Sequence, residues 1–410
     1  MLFPAVLKLI VQTGSLRLID GAGRIHDYGN GTPPRCTVRL GARRLDYTLV
    51  LNPELSIGEA YMDGLLTIEE GTLFDFLEIA ARNYSHFERL AWFSPVSRVM
   101  RRLKQHNPIS RARHNVAHHY DLSDQLYDLF LDKDRQYSCA YFTSKDDSLE
   151  MAQESKKRHI AAKLLLDRPH LKILDIGSGW GGLGLYLAKE TGADVTGVTL
   201  SVEQHKVAEA RAAAAGFADR ARFHLRDYRE EPGQYDRVVS IGMFEHVGKQ
   251  NYDEFFAKLG ELLTIDGVAL LHSIGYADTP APINPFIRKY IFPGADIPSL
   301  SEVFPAVERA GLIVTDVEIL RLHYAETLRH WRQRFITNWQ RIAALYDERF
   351  CRMWEFYLVL SEIGFRYRTL MVFQMQIAKR FDAVPLTRDY VVNWERANAP
   401  MARRRGCVAE

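Results

Sequence analysis

The sequence predicts an α/β protein: a Rossmann-like parallel sheet covered by helices on both faces, with a smaller α+β domain before it and long helices after it. Three observations carry this expectation. From Lys172 to about Lys379, short apolar runs alternate with helical stretches, as they do when strands are buried on both faces of a parallel sheet. The apolar run Ile173-Leu174-Asp175-Ile176 leads straight into Gly177-Ser178-Gly179-Trp180-Gly181-Gly182, a strand entering a glycine turn. The N-terminal part instead alternates polar and apolar positions, as half-buried strands do.

Length alone gives 410 residues room for roughly two to three domains. With 47% hydrophobic and 25% charged residues the composition is that of a folded globular chain. Lys and Arg total 53 against 51 Asp and Glu, a net charge of +2, which excludes a strongly basic nucleic-acid coat; no nucleic-acid partner is expected. There is no apolar run of about 18 residues to span a membrane, and Met1 to Gly14 lacks a secretory cleavage site. Cys36, Cys139, Cys351 and Cys407 lie far apart without a CxxC pair, so free thiols in a reducing cytoplasm are expected, and no metal.

Taken in order, Thr37–Leu40 and Asp46–Leu51 read as strands between turns at Asp20-Gly21 and Gly41-Ala42, and Leu73–Tyr84 as a helix. Arg89 to Tyr120 contains no acidic residue but carries Arg89, Arg98, Arg101, Arg102, Lys104, Arg111 and Arg113. That stretch reads as an exposed linker, and equally as a patch for an anionic membrane surface, where each basic side chain contributes ~1 kcal/mol. Strands are expected at Lys172–Ile176, Asp194–Val198, Arg222–Leu225, Asp236–Ser240, Val268–His272 and Ile313–Leu320. Helices are expected at Leu183–Glu190, Glu203–Ala215, Tyr252–Leu263 and Leu300–Ala310, and the aromatic-rich Tyr324–Tyr346 and Glu348–Arg368 should cover one mouth of the sheet. The expected division is a lipid- or membrane-associated domain over 1–95, a basic linker over 96–120, a catalytic domain over 121–395 and a flexible tail over 396–410 containing Arg403-Arg404-Arg405.

The glycine turn, with Asp175 before it, is the strongest local signal, because residues without a Cβ let a ligand approach the backbone at the carboxyl end of a strand. Gly177, Ser178, Gly179 and Gly181 form the candidate cradle. After the second strand come Thr199, Leu200 and Ser201, with Gln204 beyond them but no acidic ribose ligand of the dinucleotide type. After the third come Asp227 and Tyr228, an acid and an aromatic suited to a purine. The sum suggests a nucleoside without pyrophosphate, and S-adenosylmethionine is the obvious candidate.

Five segments occur in order: Tyr137-Ser138-Cys139-Ala140-Tyr141-Phe142, the 175–182 turn, Gly197-Val198-Thr199-Leu200-Ser201, Gly242-Met243-Phe244-Glu245-His246-Val247-Gly248 and His272-Ser273-Ile274-Gly275. Together they closely resemble the cyclopropane-fatty-acyl-phospholipid synthases and the mycolic acid cyclopropane synthases, whose class I methyltransferase fold the chain should then share. His118-His119-Tyr120-Asp121-Leu122-Ser123 and Arg288-Lys289-Tyr290-Ile291-Phe292-Pro293-Gly294 match the same family, and the resemblance runs from about Asn115 to Tyr390. It implies methylene transfer from S-adenosylmethionine to the cis double bond of an unsaturated membrane phospholipid, through carbocation character on the acyl chain. It places Tyr137 and Ser138 at the cofactor. It also implies a bound bicarbonate as proton acceptor, held by Glu245, His272, Tyr324 and the backbone at Cys139 and Ile274. Relatives are often homodimers, and a cytoplasmic enzyme peripheral to the inner membrane surface is expected.

Each residue alone has a plainer reading: Glu245 as a helix cap, His272 as a core histidine, Cys139 as buried packing. Tyr137, Tyr141, Phe142, Tyr290, Phe292, Trp331, Phe335, Phe356, Tyr357 and Phe365 surround the matched segments, and a few are expected to line an acyl tunnel. Ser178 and Ser361 stand where well-known relatives carry cysteine. Two alternatives stay open: a methyl-branched or methylated diene product, and a non-catalytic lipid-binding protein.

Overall fold

A computed structural model describes residues 2–86 and 123–399. In β1 (Ser15–Ile19) Leu16, Leu18 and Ile19 are buried, while Arg17 points outward to Asp27 of β2 (Ile25–Gly29), 2.8 Å away. With β3 (Arg35–Leu40) and β4 (Leu66–Glu70) these strands form a sheet in the order β2-β1-β3-β4, its β1–β3 pair parallel. The helix Leu73–Arg82 follows, started by a capping box in which Thr72 and Asp75 satisfy each other's backbone N–H.

One expected strand is a helix. Leu45–Leu51 buries Leu45 and Leu49, one turn apart, and Asp46 turns inward to accept the N–H groups of Leu2 and Phe3 at 2.8 and 3.1 Å. The carboxylate thereby ties the start of the Leu2–Ile10 helix to the 45–51 helix. That burial outweighs the strand preference of Tyr47, Thr48 and Val50, because β-propensity is largely a matter of packing context.

The second sheet holds β5 (Lys172–Ile176), β6 (Asp194–Thr199), β7 (Ala221–Leu225), β8 (Tyr235–Ile241), β9 (Leu263–Tyr276), β10 (Ile313–Ile319) and β11 (Leu370–Ala378). Its order is β10-β11-β9-β8-β5-β6-β7. All six expected strands occur. The edge differs from a purely parallel sheet, because β11 runs antiparallel to both β9 and β10. The strand order reverses beside β5, between β6 and β8, and a crevice opens at the carboxyl ends there. The expected long segment from Tyr324 divides into helices His323–Thr337 and Trp339–Leu345. Between them the Asn338 amide donates to the Leu129 carbonyl at 2.9 Å.

The helix Glu348–Tyr367 buries Trp354, Tyr357 and Leu358 in a core of the C-terminal part, while Phe356, Val359 and Ile363 complete the core of the N-terminal part. Contact there is close: a Cβ at Gly58, in the helix Pro53–Met62, would lie 2.4 Å from Phe286 and 2.8 Å from Phe356. Polar ties surround this joint, with Tyr367 donating to Glu78 at 2.7 Å and Arg349 to Asp63 at 2.9 Å. The two parts therefore share the apolar cluster that contains Phe286, Phe356, Val359 and Ile363.

The expected boundaries at 95–96 and 120–121, the basic stretch, the His118–Leu122 part of its motif, Arg403–Arg405 and Cys407 all lie outside the described residues. The tail expected from 396 begins inside the helix Asp389–Ala397. No helix among the described residues is long and apolar enough to cross a membrane. Cys36, Cys139 and Cys351 are buried free thiols.

Candidate active site

The glycine turn leaves β5 through positive φ angles of 81° at Gly177, 54° at Gly179 and 79° at Gly181, which an L side chain adopts at a cost. A Cβ at Gly177 would stand 2.9 Å from that of Met243, so the bare backbone forms the crevice floor. Tyr137, Ser138, Asp175, Gly177, Ser178, Gly179, Thr199, Leu200, Gln204, Asp227 and Tyr228 all line this crevice. Gly181 and Ser201 do not. Gly181 starts the helix Gly182–Thr191, pressed against Phe223 and Ala208, and Ser201 caps the helix Val202–Ala214 by accepting the Gln204 N–H at 3.3 Å.

Asp175 is the chemically exposed member. It is buried, its Oδ2 has no hydrogen-bond partner, and burial pushes its carboxyl up to about 7 against the lowering charge of Lys156. A cationic ligand group is what this orphaned oxygen lacks. The glycine cradle and the bare carboxylate together fit the amino-acid end of S-adenosylmethionine. Asp227 is held differently, taking both a backbone N–H and the guanidinium of Arg229, the latter at 2.6 Å.

Lys156 escaped the sequence reading. It lines the crevice, almost wholly buried, donating to Gln136 Oε1 at 2.7 Å and Ser138 Oγ at 2.8 Å. Burial brings its ammonium down to about 8. Its setting in Glu154-Ser155-Lys156-Lys157-Arg158 looks like a solvated helix face, so hydropathy offers no signal for it.

Beyond the crevice lies a larger, mostly apolar cavity of about 680 Å³. Tyr137, Ser138, Gly242 and His246 line both spaces. Glu245, His272, Tyr324, Cys139 and Ile274, distant in sequence, all line the larger one. Strand order brings them together: Glu245 follows β8 in a short turn, and His272 lies on neighbouring β9 opposite Ile241. Tyr324 comes from the first turn of the helix His323–Thr337. The segment carrying Cys139 is anchored where the Ala140 N–H donates to Thr327 Oγ1 at 3.0 Å.

Glu245 Oε1 accepts the Ile274 N–H at 2.6 Å, whereas the buried Oε2 has no partner. Burial pushes this carboxyl up to about 7. The Ile274 N–H is thus engaged by Glu245 and bears on the cavity through that carboxylate. Burial, reinforced by Lys156 and Lys163, pushes His272 down to about 3, so its ring is neutral. The Gln374 amide nitrogen lies 3.2 Å from its Nδ1, which must then accept and leave the ring proton on Nε2. Burial raises the Cys139 thiol well above its ordinary value, which disfavours a thiolate nucleophile.

Of the ten aromatics around the matched segments, a few of which are expected to line a tunnel, Tyr137, Phe292, Phe356, Tyr357 and Phe365 line the cavity. Tyr141, Phe142, Tyr290, Trp331 and Phe335 do not; Trp331 instead stacks behind Tyr137 at 5.1 Å. Ser361 reaches the wall from the 348–367 helix. The N-terminal domain supplies the far end through Phe3, Leu7, Val11, Leu49 and Phe76, a contribution that no local sequence feature announces.

The strand order, the glycine turn and the crevice they form define a class I methyltransferase dependent on S-adenosylmethionine. The family model described as mycolic acid cyclopropane synthetase matches residues 107–375, and the chain belongs to that family. It is 37% identical over 326 residues to the cyclopropane-fatty-acyl-phospholipid synthase of Escherichia coli strain K12, covering 79% of this chain and 83% of that one. A probable fatty acid methyltransferase of Pseudomonas putida is 33% identical over 392 residues, covering 92% and 95%, and so includes the N-terminal domain. Among solved structures, the mycolic acid cyclopropane synthase CmaA1 complexed with SAH and CTAB superposes with a TM-score of 0.62 at 34% identity, over 67% of this chain and 99% of that one.

Proposed function

We propose that the chain is a cyclopropane-fatty-acyl-phospholipid synthase, adding a methylene from S-adenosylmethionine across the cis double bond of unsaturated phospholipid acyl chains. One observation carries the reading: four residues form a common wall between the cofactor crevice and an apolar cavity into which Glu245, His272 and Tyr324 converge.

Bound in the crevice, S-adenosylmethionine supplies an electrophilic methyl group. Asp175 holds its cationic end, while Thr199, Gln204, Asp227 and Tyr228 hold the nucleoside. Lys156 fixes the 136–138 segment that separates the two spaces. The apolar cavity orients the double bond and excludes water, which would trap a developing carbocation as an alcohol. Its aromatic residues favour positive charge on the chain, by ~2 kcal/mol where a ring faces a desolvated cation.

Bicarbonate suits the inner end, where His272 Nε2–H, the Tyr324 hydroxyl, the Cys139 backbone and the acid form of Glu245 provide donors; held there, it would supply a proton acceptor. Glu245, poised near neutrality, can hold or release a proton beside that group. Ser361 rules out a thiol at its own position. Peripheral attachment to an anionic inner membrane surface through the basic 89–120 stretch, and a homodimer, belong to the same proposal.

Incubation with unsaturated phospholipid vesicles and S-adenosylmethionine, followed by acyl-chain analysis, tests it. A gain of one methylene is expected, and no gain refutes the reading. The second reading, a methyl-branched or methylated diene product, draws support from the name of the Pseudomonas putida relative, and fragmentation of the product separates the two. If the chain were a lipid-binding protein without catalysis, Glu245→Gln would leave its behaviour unchanged.

A further inference from the structure

Strand β11 is buried beyond its first residue, yet Gln374 stands at its centre. The side chain is wholly enclosed and does not line the larger cavity. Burying an amide costs free energy unless its hydrogen bonds are made again inside the protein. Here only one end is answered. Nε2 lies 3.2 Å from His272 Nδ1, while Oε1 is buried with no hydrogen-bond partner. An orphaned oxygen weakens the fold, so stability does not account for a glutamine in this place.

The sheet register puts the amide there. Gln374 pairs with His272 of β9 on one side and with Glu318 of β10 on the other, so the three side chains form a row on one face. Glu318 is engaged by the helix Leu149–Lys163: His159 Nε2 lies 2.7 Å from its Oε2, and Lys163 donates to the same oxygen. The amide of Gln374 is left to His272. Among the described residues no other side chain makes a hydrogen bond to that ring.

A neutral imidazole carries one proton and two places for it. An amide N–H facing Nδ1 needs a lone pair there, and the proton then sits on Nε2. Turned over, the amide would offer its oxygen, the proton would move to Nδ1, and Nε2 would present a lone pair. A carboxylate in this position would also draw the proton to Nδ1 and would favour the charged ring. An amide can donate to Nδ1 without bringing in a charge.

We propose that Gln374 is a positioning residue that fixes the His272 ring with its proton on Nε2, the nitrogen that donates to the anion at the inner end of the cavity. The inference rests on the reading that His272 helps to hold bicarbonate.

The test first reads the proton itself. Nitrogen–proton correlation spectra of the full chain with isotope-labelled histidine, taken near neutral pH without cofactor, should show His272 in the Nε2–H form. Its signal is identified by its loss in His272→Asn. Gln374→Met keeps the length of the side chain and removes the amide, so both tautomers of His272 should appear. Lipid turnover by this variant should fall about tenfold, and the bicarbonate concentration for half-maximal turnover should rise by a similar factor, the scale of one hydrogen bond to a charged group. S-adenosylhomocysteine binding and the denaturant midpoint should not fall. Wild-type protein with the proton on Nδ1, or a Met variant whose tautomer or turnover matches wild type, overturns the proposal. A lower denaturant midpoint with the tautomer unmoved assigns Gln374 to the fold and also overturns it. If the tautomer moves and turnover falls while the wild type is indifferent to added bicarbonate, the positioning role stands and the bicarbonate reading falls.

Discussion

Replacing Glu245 by Gln separates what this carboxyl does for the reaction from what it costs the fold. Glutamine has the same shape and can still accept the Ile274 N–H that Glu245 holds at 2.6 Å. It cannot ionise. Burial lifts the Glu245 carboxyl from 4.5 to about 7, equivalent to about 3 kcal/mol against the charged form. Between those two pH values the native protein keeps a proton that the unfolded chain releases, so stability falls as pH rises through the window, and above it the whole penalty is present. The variant escapes this. At pH 8 it should resist denaturant better than wild type by up to about 3 kcal/mol, and at pH 5 most of that advantage should be gone. Lipid turnover should fall at least ~100-fold, as when a preorganised polar group is lost from a dry site. Denaturant titrations at both pH values and acyl-chain analysis on the same preparation provide the readings. A variant less stable than wild type at pH 8, or one that still turns over lipid, would refute the reasoning.

Other sites give further tests. Asp175→Asn should weaken S-adenosylhomocysteine binding at least ~10-fold by calorimetry, because a charge-assisted contact is lost. By the same sign of linkage, with the carboxyl raised to about 7, it should stabilise the ligand-free protein above neutral pH. Gly58→Ala forces a methyl group to within 2.4 Å of Phe286 and should cost about 1–3 kcal/mol in denaturant unfolding. Gly179→Ala meets open space at φ 54°, so left-handed strain of about 1–2 kcal/mol is its whole effect on stability. Ser361→Phe should obstruct the lipid cavity, abolishing turnover while cofactor affinity is unchanged, whereas Ser361→Cys should retain activity.

Much of the catalytic sheet is legible in the sequence because its determinants are local. Lys172–Ile176 carries its own apolar run and its own glycine stop, and the observed strand has those bounds. The convergence of Glu245 and His272 is less local, since it depends on β8 and β9 lying side by side; linked family motifs point to it where spacing alone does not. The helix over Leu45–Leu51 is hidden because the partners of Asp46 are the N–H groups of Leu2 and Phe3, 44 and 43 residues away. Strand β11 is hidden for a related reason: Gln374 and Gln376 interrupt its apolar run, and each is buried by a specific contact, to His272 Nδ1 and to the Lys163 carbonyl. The far wall of the larger apolar cavity, with Phe3 and Phe76, exists only once the two parts have packed together.

The most direct test of the central claim is the fate of the transferred carbon, followed with S-adenosylmethionine whose methyl group is fully deuterated. Cyclopropanation predicts that the product keeps two of the three deuterons in a new ring and loses the third. A product retaining all three, or acyl chains without label, would contradict the account.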